Sequence, residues 1–295
     1  MAKQFKPTGT GVALVTPFHR DGSIDFKSLK KLVIKCIEGK VDYLVAMGTT
    51  GESVTLSQDE KHAVLDFIIE VNEGRLPIVL GMGGNNTRAL VNQIEQTDLG
   101  NLAAILSVCP YYNKPSQRGI ISHYKAIANA AAIPIILYNV PGRTATNMDA
   151  QTTIELAHEV KNIIAMKEAS GNFDKIQKII QGKPKDFVLI SGDDPITLPL
   201  IAAGAEGVIS VIANAYPRET SDMVRLCMEG NFDKARKLHY KLFDITNAIF
   251  IDGNPAGIKG LLSTMNVCQE YVRLPLMNVS KGTISKFELM SKNLK

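Results

Sequence analysis

A lysine closes one of the short apolar runs in the sequence, and its amine is well suited to covalent chemistry. Residues 163–166 are apolar and lead into Lys167. The alternation of a strand places Lys167 on the same side as Ile163 and Ala165. If that side faces a barrel interior, loss of water favours the neutral amine, which attacks a ketone carbonyl to form a Schiff base. The alternative, which position alone favours, is a lysine that extends from a strand end into solvent.

Other polar side chains follow neighbouring apolar runs and could complete such a site. Tyr138 ends the preceding run, and its phenol could pass protons while a carbinolamine and an imine interconvert. Thr49 and Thr50 stand between two glycines and could hold a carboxylate or relay a proton. Arg143, on a Pro-Gly loop, could bind a carboxylate through two hydrogen bonds. The ordinary alternatives are a tyrosine at the core edge, a tight turn and a solvated arginine.

The sequence predicts chemistry without a metal or a cofactor. Asp193 and Asp194 could suggest a metal site, but Asp194 is better explained as a helix cap. The five histidines form no pair at metal-ligand spacing. The glycine-rich stretch at residues 81–85 matches neither the dinucleotide-binding nor the Walker pattern, so we expect a tight turn there.

Short, apolar, β-branched runs alternate with helical patterns along the chain. The eight runs are residues 11–15, 43–46, 77–81, 103–108, 134–138, 163–167, 187–191 and 207–211. The intervening helices have readable ends: one follows Asp25 and stops at Gly39, and another opens at Asp194 and Pro195. Continuous apolar runs are typical of parallel strands covered on both faces. The pattern predicts an α/β fold, a (β/α)8 TIM barrel, with an open doubly wound sheet as the competing architecture.

The strand patterns stop near the end of the eighth unit, and amphipathic stretches follow at residues 233–250 and 255–265. We therefore predict a catalytic barrel over residues 1–230 and a C-terminal helical segment over residues 231–295. The segment would serve packing or contacts between subunits. In such a barrel the active site lies at the carboxyl ends of the strands, where the candidate residues stand.

Composition places the chain among ordinary globular proteins. Of its 295 residues 45% are hydrophobic, and 33 basic and 29 acidic residues give a net charge of +4. Because the basic residues are scattered, we do not expect nucleic acid as a partner. No apolar run approaches the roughly 18 residues of a membrane span, and the amino terminus lacks a signal pattern, so we expect a soluble, cytoplasmic protein. Four dispersed cysteines predict buried free thiols.

The order and spacing of several motifs resemble those of a known family. These motifs are Ala-Leu-Val-Thr-Pro-Phe at 13–18, Gly-Thr-Thr-Gly-Glu at 48–52, Pro-Tyr-Tyr-Asn-Lys-Pro at 110–115, Tyr-Asn-Val-Pro-Gly-Arg-Thr at 138–144, Met-Lys-Glu-Ala at 166–169, Ser-Gly-Asp-Asp at 191–194 and Asn-Pro at 254–255. From end to end the chain is similar to the dihydrodipicolinate synthase and N-acetylneuraminate lyase family, and within it to the synthase branch.

The resemblance implies a reaction and a proton relay. Lys167 would condense with pyruvate, and the enamine would attack L-aspartate 4-semialdehyde to give 4-hydroxy-tetrahydrodipicolinate, in lysine and diaminopimelate biosynthesis. Tyr138, Thr49 and Tyr112 would relay protons, with Tyr112 inserted from the adjacent subunit of a tight dimer. The resemblance also implies a homotetramer built from such dimers.

The same resemblance implies the residues that bind substrate. Thr50, with Thr49, would hold the pyruvate carboxylate, and Ile209 would offer a backbone contact beside it. Arg143 would receive the carboxylate of the semialdehyde, and Gly192 would line the pocket.

The chain departs from lysine-inhibited members of the family in their allosteric cleft. Ser53, Asn85 and Tyr111 match that cleft. The positions that carry histidines and a glutamate in those relatives are here Gln58, Lys61 and Ala89. Because the ammonium of Lys61 would oppose the amino group of a bound lysine, we expect weak or absent feedback inhibition.

Two alternatives remain. Another member of the family could use the same imine with a different aldehyde or sugar acid, although lyases acting on sialic acid lack the Pro-Gly-Arg-Thr loop that carries Arg143. The other, from a different class, is a catalytically idle protein that binds small molecules or partners. Its weakness is that all the residues of the implied chemistry are retained together: Lys167, Tyr138, Thr49, Tyr112 and Arg143.

Overall fold

The computed structural model describes residues 5–294, in which strands and helices alternate. The strands are β1 (Gly9–Ala13), β2 (Tyr43–Ala46), β3 (Ile78–Gly81), β4 (Ala104–Val108), β5 (Ile135–Asn139), β6 (Ile163–Glu168), β7 (Val188–Ser191) and β8 (Gly207–Ser210). The helices are α1 (Phe26–Glu38), α2 (Gln58–Asn72), α3 (Thr87–Gln96), α4 (Gln117–Ala130), α5 (Pro141–Thr144), α6 (Ala150–Glu159), α7 (Phe173–Gly182), α8 (Thr197–Ala202), α9 (Pro217–Met228), α10 (Phe232–Ala248), α11 (Ala256–Thr264) and α12 (Lys281–Asn293).

The strands form a closed parallel barrel in chain order from β1 to β8, which confirms the predicted (β/α)8 fold. Strands such as β2 and β7 are buried at every residue, as expected where helices cover a parallel sheet. The main difference from the sequence prediction concerns β1, which lies two residues earlier than the predicted run at 11–15. Val15 is buried as well, but its N–H donates to the side chain of Asn214 (3.2 Å) and not to a neighbouring strand.

The helix ends confirm one prediction and correct another. Asp25 caps α1 by accepting from the N–H of Ser28 (2.9 Å), and the helix stops before Gly39, as predicted. The prediction that Asp194 caps a helix was wrong. Asp194 begins a three-residue 3-10 turn, in which its backbone carbonyl, not its side chain, accepts from the N–H of Thr197.

The chain divides into two compact units. One comprises residues 5–8 together with Pro77–Ile209 and contains β3 to β7; the other comprises Gly9–Leu76 together with residues 210–294 and contains β1, β2 and α9 to α12. Helices α10 and α11 match the two predicted amphipathic stretches, and α12 lies within the predicted C-terminal helical segment, although the sequence analysis did not single it out. The boundary at residue 230 stays a prediction. Within residues 5–294 no helix has the length and apolar character needed to cross a membrane.

All four cysteines are buried free thiols, as predicted. Burial raises the pKa of Cys36, Cys109 and Cys268 to about 12 and that of Cys227 to about 11. These thiols therefore carry little of the reactive thiolate near neutral pH.

Candidate active site

Lys167 and Tyr138 lie side by side at the ends of β6 and β5. The two residues are paired in the parallel register, and Lys167 Nζ lies 4.4 Å from the centroid of the Tyr138 ring. Lys167 is only 5% exposed and Tyr138 only 7%. The amine and the phenol ring are thus held against each other with little access to water.

The side-chain alternation of β6 fixes the direction in which Lys167 points. Thr153 of α6 donates a hydrogen bond to Met166 Sδ (3.3 Å), and Glu168 forms an ion pair with Lys175 of α7 (2.7 Å). Residues on either side of Lys167 therefore face the helices, so Lys167 faces the inner side of the strand. This agrees with the predicted alternation and not with a lysine extended into solvent.

Gly192, directly after β7, makes room for the lysine. A Cβ atom at this position would stand 2.9 Å from Lys167 Cε and 2.8 Å from Ala169 Cβ, closer than such atoms approach in proteins. The structure thus brings Gly192 and Lys167 together. Burial and the neighbouring charge of Asp194 raise the pKa of Asp193, the next residue along the chain. Ile209, also in this unit, is fully buried in β8.

Arg143 and Tyr112 lie on adjoining segments of the same unit. Arg143 is exposed on α5, directly after β5. The N–H of Tyr112 donates to the carbonyl of Thr144 at the end of α5 (3.3 Å). Tyr112 has a left-handed φ of 73° and is 87% exposed. A non-glycine residue in this conformation costs roughly 1–3 kcal/mol, so the loop holds an aromatic ring outward at a cost.

Thr49 and Thr50 lie in the other unit, in a 3-10 turn that follows β2. Thr50 is 2% exposed, and its Oγ1 accepts a hydrogen bond from Asn254 Nδ2 (3.0 Å). Thr16 Oγ1 donates to the carbonyl of Gly51 (2.7 Å). Thr49 is exposed. The hydrogen bond to Thr50 therefore holds the turn in place, whereas the hydroxyl of Thr49 stays accessible.

A fully buried ion pair lies next to this turn. Lys259 of α11 pairs with Glu52, and their side chains are 0% and 1% exposed. Lys259 Nζ also donates to the carbonyl of Tyr271 (2.9 Å) and lies 4.0 Å above the ring of Phe18. The N–H of Arg273 donates to Glu52 Oε2 (3.0 Å). Burial lowers the pKa of Lys259 even though Glu52 opposes that change.

Sequence reasoning did not predict the ion pair between Glu52 and Lys259, nor the ion pair between Glu168 and Lys175 on the other side of β6 from Lys167. Glu52 and the Asn-Pro pair at 254–255 were recognised only as parts of motifs. Lys259 and Lys175 were not singled out by the sequence analysis. The available signal was a charged residue inside an otherwise apolar stretch: Lys259 interrupts the apolar α11, and Glu168 ends the apolar β6.

The positions that correspond to the allosteric cleft of lysine-inhibited relatives are divided between the two units. In the first, Asn85 Nδ2 donates to the carbonyl of Tyr111 (3.1 Å), and Ala89 is exposed on α3. In the second, Ser53 follows the threonine turn, and the substituted positions of α2 are Gln58 and Lys61.

Comparison with known proteins gives matches over almost the whole chain. Residues 6–293 match the Dihydrodipicolinate synthetase family. The 4-hydroxy-tetrahydrodipicolinate synthase of Flavobacterium psychrophilum is 52% identical over 286 residues, which are 97% of this chain and 98% of that protein. The protein of the same name from Parabacteroides distasonis is 50% identical over 286 residues, 97% of this chain and 96% of that protein.

Solved structures agree with the sequence matches. The dihydrodipicolinate synthase of Aquifex aeolicus has a TM-score of 0.92 at 39% identity and is matched over 97% of both chains. The chloride-inhibited dihydrodipicolinate synthase of Acinetobacter baumannii, solved with pyruvate, has a TM-score of 0.94 at 38% identity over 98% of this chain and 99% of that one. On this evidence the chain belongs to the dihydrodipicolinate synthetase family.

Proposed function

We propose that this chain is a lyase that condenses pyruvate with L-aspartate 4-semialdehyde through a Schiff base on Lys167. The buried amine of Lys167, held against the Tyr138 ring, is the observation that carries the proposal. The choice of substrates rests on the relatives, which are named 4-hydroxy-tetrahydrodipicolinate synthase. The product is 4-hydroxy-tetrahydrodipicolinate, a step of lysine and diaminopimelate biosynthesis.

The reaction balances with these two substrates alone. The amine of Lys167 adds to the ketone carbon of pyruvate, and two proton transfers release the oxygen as water. Loss of a methyl proton from the imine gives an enamine, whose carbon adds to the aldehyde carbon of the semialdehyde while the aldehyde oxygen takes up a proton. The amino group of the semialdehyde then attacks the imine carbon, which closes the ring and frees Lys167.

Three hydroxyl groups carry the protons in this proposal. Tyr138 is next to the amine and exchanges protons with the carbinolamine. Thr49 and Tyr112 continue the relay toward solvent. Tyr112 is 87% exposed, which suits a side chain that enters the site of an adjacent subunit. We therefore include a tight dimer in the proposal, and a tetramer made of two such dimers.

Binding of the two carboxylates uses other residues. Thr50, with Thr49, holds the carboxylate of pyruvate beside the backbone of Ile209. Arg143 receives the carboxylate of the semialdehyde, because an exposed guanidinium on α5 can bind it through two hydrogen bonds. Gly192 lines the pocket next to the lysine. The absence of a metal, a cofactor or a nucleic-acid partner and a cytoplasmic location stay predictions of the sequence.

Borohydride reduction in the presence of pyruvate tests the central step. We expect peptide mass mapping to find a carboxyethyl group on Lys167, because borohydride reduces the imine to a stable secondary amine. Lys167→Ala removes the adduct, whereas Lys161→Ala, at an exposed position two residues before β6 begins, retains it. An adduct that persists in Lys167→Ala would place the imine elsewhere.

The choice of second substrate separates the synthase from other members of the family. We expect product from pyruvate with L-aspartate 4-semialdehyde and none from pyruvate with N-acetylmannosamine. The reverse result would make the chain a sugar-acid lyase. No product from either, together with no borohydride adduct, would favour an idle binding protein.

Lysine titration tests the regulatory prediction. We expect the rate to change little up to millimolar lysine, because Lys61 of α2 places an ammonium where sensitive relatives carry another residue. Strong inhibition at micromolar lysine would show that the cleft binds lysine despite this substitution.

A further inference from the structure

We propose that Lys175 of α7 is a positioning residue for Lys167 and Tyr138, acting through Glu168 and Asn139. The inference rests on the proposed function, since it concerns how the Schiff-base lysine and its proton carrier are held. All the residues involved belong to the same compact unit.

The ammonium of Lys175 uses all three of its hydrogen-bond donors inside the protein. Lys175 Nζ lies 2.7 Å from Glu168 Oε2, 3.0 Å from Asn147 Oδ1 and 3.3 Å from the carbonyl of Met148. Its side chain is only 9% exposed. One buried cation thereby joins the end of β6 to the segment that follows α5.

The carboxylate of Glu168 is held from several directions. Besides Lys175, it accepts from the N–H of Ser170 (2.7 Å) and from Asn139 Nδ2 (3.2 Å to each oxygen). Glu168 directly follows Lys167 in β6, and alternating side chains of a strand point to opposite faces. Fixing Glu168 on the outer face therefore fixes the rotation of the strand that aims Lys167 inward.

Asn139 has the same relation to Tyr138 in β5. Its Oδ1 accepts from the N–H of Met148 (2.9 Å), and its Nδ2 donates to Asn147 Oδ1 (2.9 Å) as well as to Glu168. The outward neighbours of both reactive side chains thus belong to one hydrogen-bonded cluster: Asn139, Asn147, Glu168 and Lys175. We call this set the rear cluster.

Stability alone does not account for a charged pair at this place. Replacing a buried ion pair with apolar residues of similar volume is often neutral or stabilising, because the desolvation of two charges can cost as much free energy as their attraction provides, or more. Directional hydrogen bonds, in contrast, allow a strand end a smaller range of positions and orientations than apolar contacts do. Misplacement of a reacting group by about 1 Å can cost roughly a hundredfold in rate, so such precision has a catalytic effect.

Single variants provide the first test. We expect Lys175→Met to lower kcat by roughly ten- to a hundredfold and to slow borohydride trapping of pyruvate, with a smaller change in the KM for pyruvate. Lys175→Arg, which keeps the charge and the donors, restores part of kcat. Lys178→Met is the matched control, since Lys178 is exposed on the same helix and is expected to retain wild-type kcat.

A double variant separates positioning from stability. Lys175→Met leaves Glu168 as a buried carboxylate without its cation, so a lower Tm accompanies the loss of activity. Combining it with Glu168→Gln removes both charges and is expected to recover most of the Tm. If the rear cluster positions the reactive groups, kcat stays low in the double variant. A kcat that returns to within twofold of wild type together with the Tm would overturn the inference.

The wild-type chain distinguishes failure of this inference from failure of the proposed function. If the wild type forms no pyruvate adduct, the proposed function is wrong, and the inference falls with it. If the wild type forms the adduct and Lys175→Met forms it with the same rate and turns over with the same kcat, only the positioning role is wrong.

Discussion

Replacing Lys259 with methionine removes the positive charge that neutralises Glu52. Methionine keeps much of the aliphatic volume of the lysine but none of its hydrogen-bond donors. The Glu52 carboxylate, whose side chain is 1% exposed, then retains the N–H of Arg273 (3.0 Å) without the ammonium. The ring of Phe18 also loses the ammonium that lies 4.0 Å from its centroid, while the guanidinium of Arg273 stays over the ring at 4.5 Å.

The loss of stability can be worked out from these contacts. Removing one partner of a buried ion pair costs about 3–5 kcal/mol, because the remaining charge stays desolvated. The cation–π contact with Phe18 adds on the order of 1 kcal/mol. We therefore expect Lys259→Met to lower the free energy of unfolding by about 4 kcal/mol or more. Glu52→Gln on the Lys259→Met background is expected to return part of that loss, because it removes the unpaired carboxylate.

Urea unfolding at neutral pH, followed by far-UV circular dichroism, measures the effect. Lys286→Met is the control, since Lys286 is exposed on α12 and surface changes of this kind usually stay within about 0.5 kcal/mol. A loss below about 1 kcal/mol in Lys259→Met would refute the reasoning. So would a double variant whose loss equals the sum of the two single losses, since partners in contact should be coupled.

Two further outcomes are expected. Gly192→Ala should lower kcat roughly ten- to a hundredfold, because its methyl group would displace Lys167 (2.9 Å from Cε), and should also lower Tm, because the same methyl group would stand 2.8 Å from Ala169 Cβ. Gly282→Ala, which meets only ordinary contact at 3.7 Å, is the control, and equal kcat in both would contradict the expectation. The hydrogen-bonded guanidinium of Arg273 lowers the pKa of Glu60 from 4.5 to about 2, so the pair contributes stability that is complete above pH 4.5 and is lost as the pH falls through 2. The difference in Tm between wild type and Glu60→Gln should close over that interval, and a difference that is constant across it would count against the pair.

Much of the barrel could be predicted from the sequence because its strands are short apolar runs with helical patterns between them. The alternation of β6 placed Lys167 on the same side as Ile163 and Ala165 but left open which side faces inward. The contacts of Met166 and Glu168 with helices decide that. The end of β1 did not, since Val15 is as apolar as the strand but bonds to Asn214. Helix α12 was not singled out within the predicted C-terminal helical segment, because its hydrophobic residues are confined to one face less clearly than those of α1 or α7.

The supporting ion pairs could not be predicted, because no sequence feature marks either pair of residues as partners. Glu52 and Lys259 are 207 positions apart, and neither has a local sequence feature that names the other. Lys175 stands seven positions after Glu168 and in a different element, and only the folded structure shows that the two side chains meet (2.7 Å). Residue types can suggest which side chains react, whereas the fold decides which charges hold them in place.

Each compact unit contains at least one buried cysteine, whose reaction with a thiol reagent can report local unfolding of that unit. Cys109 belongs to the unit that carries Lys167, and the other three thiols, Cys36, Cys227 and Cys268, belong to the unit that carries the threonine turn. Because their raised pKa values and burial keep them unreactive, a thiol reagent can label them only during transient exposure. Labelling rates mapped by peptide would therefore show whether the two units open together or separately, without introducing any cysteine.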